Sequence, residues 1–139
     1  MKEKSFMNQE AKHWLARAKS NLEFAKDVKR TNFTFNGGYI FIEEVCYELQ
    51  QSVEKALKAL FIFYQIKIPY THNIAELITR LGENGINIPD NIKMAKKLTD
   101  YAVETRYPHI EEPLTEEDFN DALEIAENVY NWAENLLGI

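Results

Sequence analysis

The four residues Arg106-Tyr107-Pro108-His109 are the densest candidate for chemistry in this sequence. An arginine side chain can hold a phosphate through two parallel hydrogen bonds, and a histidine can transfer a proton near neutral pH. The alternative is structural: Arg106 pairs with a following acid such as Glu111, and Tyr107 packs at the end of a helix. The spacing slightly favours the structural interpretation, so both stay open.

A second candidate lies on the polar face of a predicted helix in the middle of the chain. This face carries Gln50, Gln51, Glu54, Lys55 and Lys58. Glu54 and Lys58 are four residues apart in the order that favours a salt bridge along a helix, so the simplest interpretation is a solvated face. In the alternative, the amide and ammonium groups line a polar groove that binds a phosphate or a partner.

His72 follows Thr71 at a predicted helix start, where a histidine most often makes local hydrogen bonds or caps the helix. The single cysteine, Cys46, lies on the apolar stripe of the central helix, which predicts a buried thiol rather than a nucleophile. The three histidines give no paired ligand spacing, and there is no glycine-rich phosphate loop. We therefore expect no metal site and no cofactor.

Charge is distributed unevenly along the chain. The 139 residues carry a formal charge of −6, yet residues 111–139 contain nine acids and no Lys or Arg, so the rest is mildly basic. An acidic surface repels the phosphates of a nucleic acid. We therefore expect any nucleic-acid contact on the basic side, and a compact ligand or a protein partner is favoured over extended RNA. The basic side is expected near Arg17, Lys55, Lys58 and Arg106.

Length and composition predict one domain over residues 1–139. With 45% hydrophobic and 27% charged residues, the composition is that of a globular protein and not of a disordered chain. The longest apolar run, residues 59–64, is far shorter than the ~18 residues that a membrane span needs. The charged N-terminus shows no signal peptide, and a lone cysteine fits a reducing compartment. These features predict a cytoplasmic protein without membrane association.

Glycine and proline residues cluster between five segments, each of which has the apolar spacing of a helix. The segment 39–65 has the longest stripe and is expected to form the central helix. No segment alternates apolar and polar residues for long enough to form a strand. The sequence therefore predicts an all-α fold, an up-and-down antiparallel bundle of four to five helices. The seams of the first and last helices are Ala11, Leu15, Ala18, Leu22 and Ala25, and Phe119, Ala122, Ala126, Val129, Ala133 and Leu136.

Three helix starts carry residues that favour capping. Asn73 is expected to cap a short helix that ends at Gly82. Asp90 is expected to cap a fourth helix, which must end near Tyr107 because a proline follows. Thr115 is expected to cap the last helix, where the acids of the first turn suit the positive end of the helix dipole.

These residues together resemble the HEPN family (higher eukaryotes and prokaryotes nucleotide-binding), small helical domains of bacteria and archaea. The resemblance implies a helical bundle that pairs as a homodimer, with a cleft at or near the dimer interface. It also implies one of two roles. Many small members resemble partners of a separately encoded minimal nucleotidyltransferase in toxin–antitoxin pairs, and others are metal-independent ribonucleases that use an Arg and a more distant His across the dimer. The resemblance rests on Trp14, Ala18 and Leu22, the run from Cys46 to Ala59 with its Gln-Gln-x-x-Glu-Lys-Ala-x-Lys-Ala block, Pro69, Thr71-His72-Asn73-Ile74, Arg106-Tyr107-Pro108, and Ala122 and Ala126.

The sequence departs from the ribonuclease pattern, because only two residues separate Arg106 from His109. We therefore predict a dimeric module that binds a nucleotide, RNA or a partner, paired with a minimal nucleotidyltransferase. One alternative is a metal-independent endoribonuclease with Arg106 and His109 as catalytic residues. Another is a purely architectural dimer. The expected binding site consists of Gln51, Glu54, Lys55, Lys58, His72, Arg106 and Tyr107.

Overall fold

The computed structural model describes residues 2–99 and 113–138, which fold mainly as helices. Helix α1 spans Lys2–Arg30, strands β1 and β2 span Thr34–Phe35 and Gly38–Tyr39, and helix α2 spans Ile42–Phe63. Helix α3 spans Ile74–Glu83, α4 spans Asp90–Lys93 and continues as a 3-10 helix at Met94–Lys97, and α5 spans Glu116–Leu137. Within these described ranges the chain has five α-helices, so the predicted all-α bundle is confirmed.

The three long helices form the body of the bundle. Ser52 and Lys58 of α2 contact Ala18 and Trp14 of α1 respectively, so these two helices run antiparallel. Their close approach is marked by the Ser52 hydroxyl, which donates a 2.7 Å hydrogen bond to the backbone carbonyl of Ala18. Small side chains on the α1 seam leave room for this contact. The seam residues predicted for α1 are all buried, and those predicted for α5 are buried apart from Leu136, which is half-buried.

Two of the three predicted caps are confirmed. The Asn73 side chain accepts a hydrogen bond from the backbone of the third residue of α3, and Thr115 forms a reciprocal capping box at the start of α5. The third prediction was wrong by one residue: Pro89 is the N-cap of α4, and Asp90 is its first helical residue. Its carboxylate still lies at the positive end of the helix dipole.

The predicted fourth helix also changes its hydrogen-bonding pattern after one turn. The 3-10 helix that follows α4 has about three residues per turn, so side chains three apart align on one side. Ile92, Ala95 and Leu98 have this spacing, and all three are buried. The change of pattern therefore keeps three consecutive apolar contacts on the core side. The rest of the predicted helix, from residue 100 to Tyr107, lies outside the described residues.

A short β-hairpin between α1 and α2 was not predicted. Strands β1 and β2 pair antiparallel over two residues each, and the loop consists of Asn36 and Gly37. Both loop residues have positive φ, at 50° and 78°, as a type I′ hairpin turn requires. Next to the hairpin, the ring of Phe33 is buried edge-on against Phe119 of α5 at 5.1 Å between centroids, which fixes the α1–α2 connection to the core.

Two ionisable side chains in the core, Cys46 and Tyr130, have raised pKa values. Cys46 is fully buried, as predicted, and burial with the nearby charges of Asp118 and Glu43 raises its pKa from 9.0 to about 12. Burial and the Glu134 carboxylate, which accepts a hydrogen bond from the Tyr130 hydroxyl, raise the pKa of Tyr130 from 10.0 to about 12. Both groups therefore stay protonated to a higher pH in the folded chain than in the unfolded chain.

We expect the free energy of unfolding to fall as pH rises from about 9 towards 12, because the unfolded chain releases these two protons first. Below that range the two groups contribute no pH dependence. Denaturant unfolding measured at a series of alkaline pH values checks this. The double variant Cys46→Ala/Tyr130→Phe should show a shallower decline than the wild type, and an equal decline would contradict the assignment.

Candidate functional site

The carboxylate of Glu54 on α2 is the centre of a polar cluster. Its side chain is only 3% exposed. Atom Oε1 accepts a hydrogen bond from Lys58 Nζ at 3.2 Å and lies 2.6 Å from His72 Nδ1, and Oε2 accepts from Gln51 Nε2 at 3.4 Å. Three side chains that the sequence analysis selected therefore contact one buried carboxylate. A buried charge is tolerated only when it is paired in this way.

Helix geometry explains part of this convergence. Gln51 and Lys58 lie three residues before and four residues after Glu54, so the three side chains share one side of α2. His72 comes from a different element, the loop that precedes α3. The Thr71 hydroxyl accepts a 3.0 Å hydrogen bond from the backbone of Asn73, which itself caps α3, so local contacts fix the shape of this loop at the start of α3.

The contact with Glu54 also determines the chemistry that His72 can perform. Atom Nδ1 of the ring is engaged with the carboxylate, which leaves Nε2 for other groups. The side chain is 86% exposed. The arrangement therefore presents one edge of the imidazole to solvent, where it can meet a ligand.

The interpretation of this helix face as fully solvated is wrong for two of its members. Glu54 is buried, and Gln50, one turn before it, is only 3% exposed. Atom Oε1 of Gln50 has no hydrogen-bond partner in the part of the chain that the structure describes. The salt bridge between Glu54 and Lys58 is present as the spacing predicted. The sequence could not show burial here, because it depends on which elements cover α2.

Lys55 lies apart from the Glu54 cluster and faces α1. Its ammonium group donates a 2.9 Å hydrogen bond to Asn21 Oδ1, and Asn21 Nδ2 donates in turn to Glu48 at 2.5 Å. Lys55 forms no ion pair with a carboxylate within residues 2–99 and 113–138. The predicted site residues on α2 are thus divided between two neighbouring positions.

Trp14 of α1 lies beside Lys58 of the Glu54 cluster and was not selected as a site residue. Lys58 Nζ lies 5.9 Å from the centroid of the Trp14 ring, and Arg17 Cζ lies 5.8 Å from it, both within cation–π distance. The sequence signal was the spacing of Trp14, Arg17 and Asn21 at steps of three and four, which places them along one side of α1.

Three other predicted site residues, Arg106, Tyr107 and His109, lie outside the described residues. Within the residues that are described, no group of three His, Cys, Asp or Glu side chains is placed to hold a metal ion. The helices of the described segments include none that is long and apolar enough to cross a membrane.

The fold is that of a small domain built from antiparallel helices, with a polar cluster on its central helix. The sequence model of the HEPN domain matches residues 11–136 of this chain. Because the match covers nearly the whole sequence, the protein belongs to the HEPN family, and the resemblance stated above is confirmed.

Two crystal structures are similar to this fold. An archaeal HEPN homologue is 26% identical, with a TM-score of 0.70 over 91% of this chain and 97% of its own. A HEPN domain protein from Thermotoga maritima is 22% identical, with a TM-score of 0.63 over 91% of this chain and 98% of its own, and shows the shared fold. No curated protein matches the sequence.

We expect Glu54→Ala to lower the free energy of unfolding by about 1–3 kcal/mol, because it leaves charged and polar groups without their partner. The Lys58 side chain is 17% exposed and recovers only part of its hydration. Denaturant unfolding at neutral pH measures the change. The exposed Glu83 of α3 supplies the control: Glu83→Ala should alter stability by less than about 0.5 kcal/mol, and equal effects of the two variants would show that the cluster does not stabilise the fold.

Proposed function

We propose that this HEPN protein is a homodimeric binding module that pairs with a minimal nucleotidyltransferase in a toxin–antitoxin system. We expect the surface that binds the nucleotide or the partner to include Gln51, Glu54, Lys55, Lys58 and His72, together with Arg106 and Tyr107, which lie outside the described residues. The observation that carries the proposal is the convergence of Gln51, Lys58 and His72 on the buried carboxylate of Glu54. The homodimer and the nucleotidyltransferase partner rest on what membership of the HEPN family implies.

The cluster favours binding because its groups are held in place before a ligand arrives. Lys58 is restrained by Glu54 and by the Trp14 ring, so less side-chain entropy is lost when it meets an anion. An ammonium group has three donors, and the contact with Glu54 uses one of them. Lys55, without a carboxylate partner in the described ranges, adds a second cation one turn earlier on α2.

The acidic side chains of a partner protein and the phosphates of a nucleotide would bind to the same ammonium and guanidinium groups of this site. The carboxylate and the phosphate are both acceptor-only anions, and both match ammonium and guanidinium donors. The site therefore supports a nucleotide, a nucleotidyltransferase surface, or a ternary arrangement in which the nucleotide lies between the two proteins. The acidic C-terminal segment weighs against an extended RNA ligand.

We expect Lys55→Ala and Arg106→Ala each to weaken binding by about tenfold, roughly 1.4 kcal/mol, because each removes one cation from the site. Isothermal titration with ATP, and with a purified minimal nucleotidyltransferase if a neighbouring gene encodes one, measures the change. Circular dichroism confirms that the variants fold. Lys19→Ala is the matched control, since Lys19 lies on the opposite side of α1, in a groove facing α5. Unchanged binding in both site variants would contradict this assignment of the site, and absence of any binding would favour the architectural dimer.

The same preparations test the ribonuclease alternative. A metal-independent ribonuclease should cleave single-stranded RNA in the presence of EDTA, and both Arg106→Ala and His109→Ala should abolish the cleavage. Cleavage that occurs in EDTA and is lost in both variants would show that the protein is a ribonuclease and would overturn the binding proposal. Absence of cleavage together with cation-dependent binding supports the binding module. Light scattering on the eluted protein reports whether the chain is a dimer.

A further inference from the structure

The neighbouring sides of α1 and α2 form a continuous strip of aromatic and cationic side chains. We call it the α1–α2 edge, and it consists of Trp14, Arg17 and Asn21 from α1 with Lys55 and Lys58 from α2. The members contact one another across the helix pair: Lys58 lies over the Trp14 ring, and Lys55 donates to Asn21. The antiparallel packing of the two helices fixes their register, so the strip is a property of the fold.

Two of the three cations on this edge form no ion pair within the described residues, although the Glu48 carboxylate accepts a hydrogen bond from Asn21, which also binds Lys55. Arg17 is exposed and forms no ion pair in the ranges that the structure describes, and the same holds for Lys55. Only Lys58 has a carboxylate partner, the buried Glu54. Among the described residues the edge therefore offers two cations without a salt bridge, Arg17 and Lys55, and a third, Lys58, that keeps unused donors. Free cations close together favour a ligand with more than one negative charge.

The Trp14 ring lies among these cations and is half-buried. An exposed cation–π contact such as that of Arg17 is weak, whereas a nucleobase stacked on an aromatic ring is held more strongly. Arg17 is long and solvated, so it can leave the ring for a phosphate at little cost. Lys58 Nζ, 5.9 Å from the ring centroid, lies at a distance suited to the phosphates of a nucleotide whose base covers the ring.

We propose that Trp14 is the base-stacking platform of a nucleotide subsite on the α1–α2 edge, and that the ligand is a purine nucleoside phosphate. The base stacks on the indole ring, and Arg17, Lys55 and Lys58 bind the phosphates. A purine is favoured over a pyrimidine because its two fused rings cover more of the indole. This inference rests on the proposed function and adds to it the chemical class of the ligand and a residue on α1 that recognises the base.

Tryptophan fluorescence gives a direct measurement of stacking. The chain has two tryptophans, so Trp132→Phe leaves Trp14 as the only one. In this single-tryptophan protein, titration with ATP should quench the emission, and the midpoint should agree with the calorimetric dissociation constant. Tripolyphosphate, which has the phosphates without the base, is the matched probe. It should bind between about 5-fold and about 150-fold more weakly than ATP, the range that corresponds to the ~1–3 kcal/mol contributed by a stacked base.

Substitutions of Trp14 test the contribution of base stacking separately from that of phosphate binding. Trp14→Leu keeps an apolar side chain at this position of α1, whereas Trp14→Ala removes it. Each variant should bind ATP only as tightly as the wild type binds tripolyphosphate, and each should bind tripolyphosphate as tightly as the wild type does. Lys58→Met should weaken both ligands. GTP should bind more tightly than CTP in the wild type, and this preference should disappear in Trp14→Leu.

The possible failures are distinguishable. Equal affinity of the wild type for ATP and tripolyphosphate, or unchanged ATP binding in a folded Trp14→Leu variant, would overturn the stacking subsite and leave the phosphate site of the proposed function intact. Absence of binding by both ATP and tripolyphosphate would overturn the nucleotide-binding function and the subsite together. Folding of each variant is checked by far-ultraviolet circular dichroism and thermal unfolding.

Discussion

The buried carboxylate of Glu54 is the interaction on which the polar side of this bundle depends. A carboxylate removed from water is unfavourable unless cations or donors surround it, and here they come from two different elements. Lys58 lies on the same helix, whereas His72 comes from the loop before α3. Because Lys58 also reaches the Trp14 ring, the carboxylate indirectly connects α2 with α1. One charge therefore positions side chains from three parts of the chain.

Helix α2 carries both the centre of the core and the centre of the site. Its apolar arc, with Leu49, Val53 and Ala56, is fully buried, and its polar arc begins at Glu54. The position of the polar arc is therefore fixed by packing and not by the polar contacts themselves. The Ser52 hydroxyl bound to the Ala18 carbonyl sets the separation of α1 and α2, and this separation brings Lys58 close enough to Trp14 to interact.

Much of the fold was predictable because its signals are local. Apolar spacing identified the long helices, and side-chain chemistry identified the caps Asn73 and Thr115. The hairpin was missed because two-residue strands are too short to show alternation, although the Asn36-Gly37 pair between Thr-Phe and Gly-Tyr is a known hairpin signal. The described part of the predicted fourth helix is helical, but periodicity alone could not show that the α-helix changes to a 3-10 helix after one turn.

The site was less predictable, because its geometry depends on contacts between distant segments. Spacing on α2 grouped Gln51, Glu54 and Lys58 correctly, but it could not show that the chain before α3 returns to cover Glu54. The burial of that carboxylate follows from tertiary packing. In the same way, Trp14 becomes a neighbour of Lys58 only through the register of two antiparallel helices, which a single sequence does not specify.

The ion pairs of helix α1 show how the uneven charge of the sequence is distributed over the surface. On the side that faces α5, Lys26 bridges Glu23 and Glu127 at 3.5 and 3.3 Å, so cations there are used to neutralise the acidic last helix. Where α1 meets α2, Arg17 of α1 and Lys55 of α2 form no ion pair among the described residues. A helix with its side chains is ~10 Å wide, which exceeds the screening length of about 8 Å at physiological salt. Exposed acids of α5 that lie farther than this from the α1–α2 edge are therefore largely screened from it, so the net charge of −6 does not by itself oppose the proposed anion site.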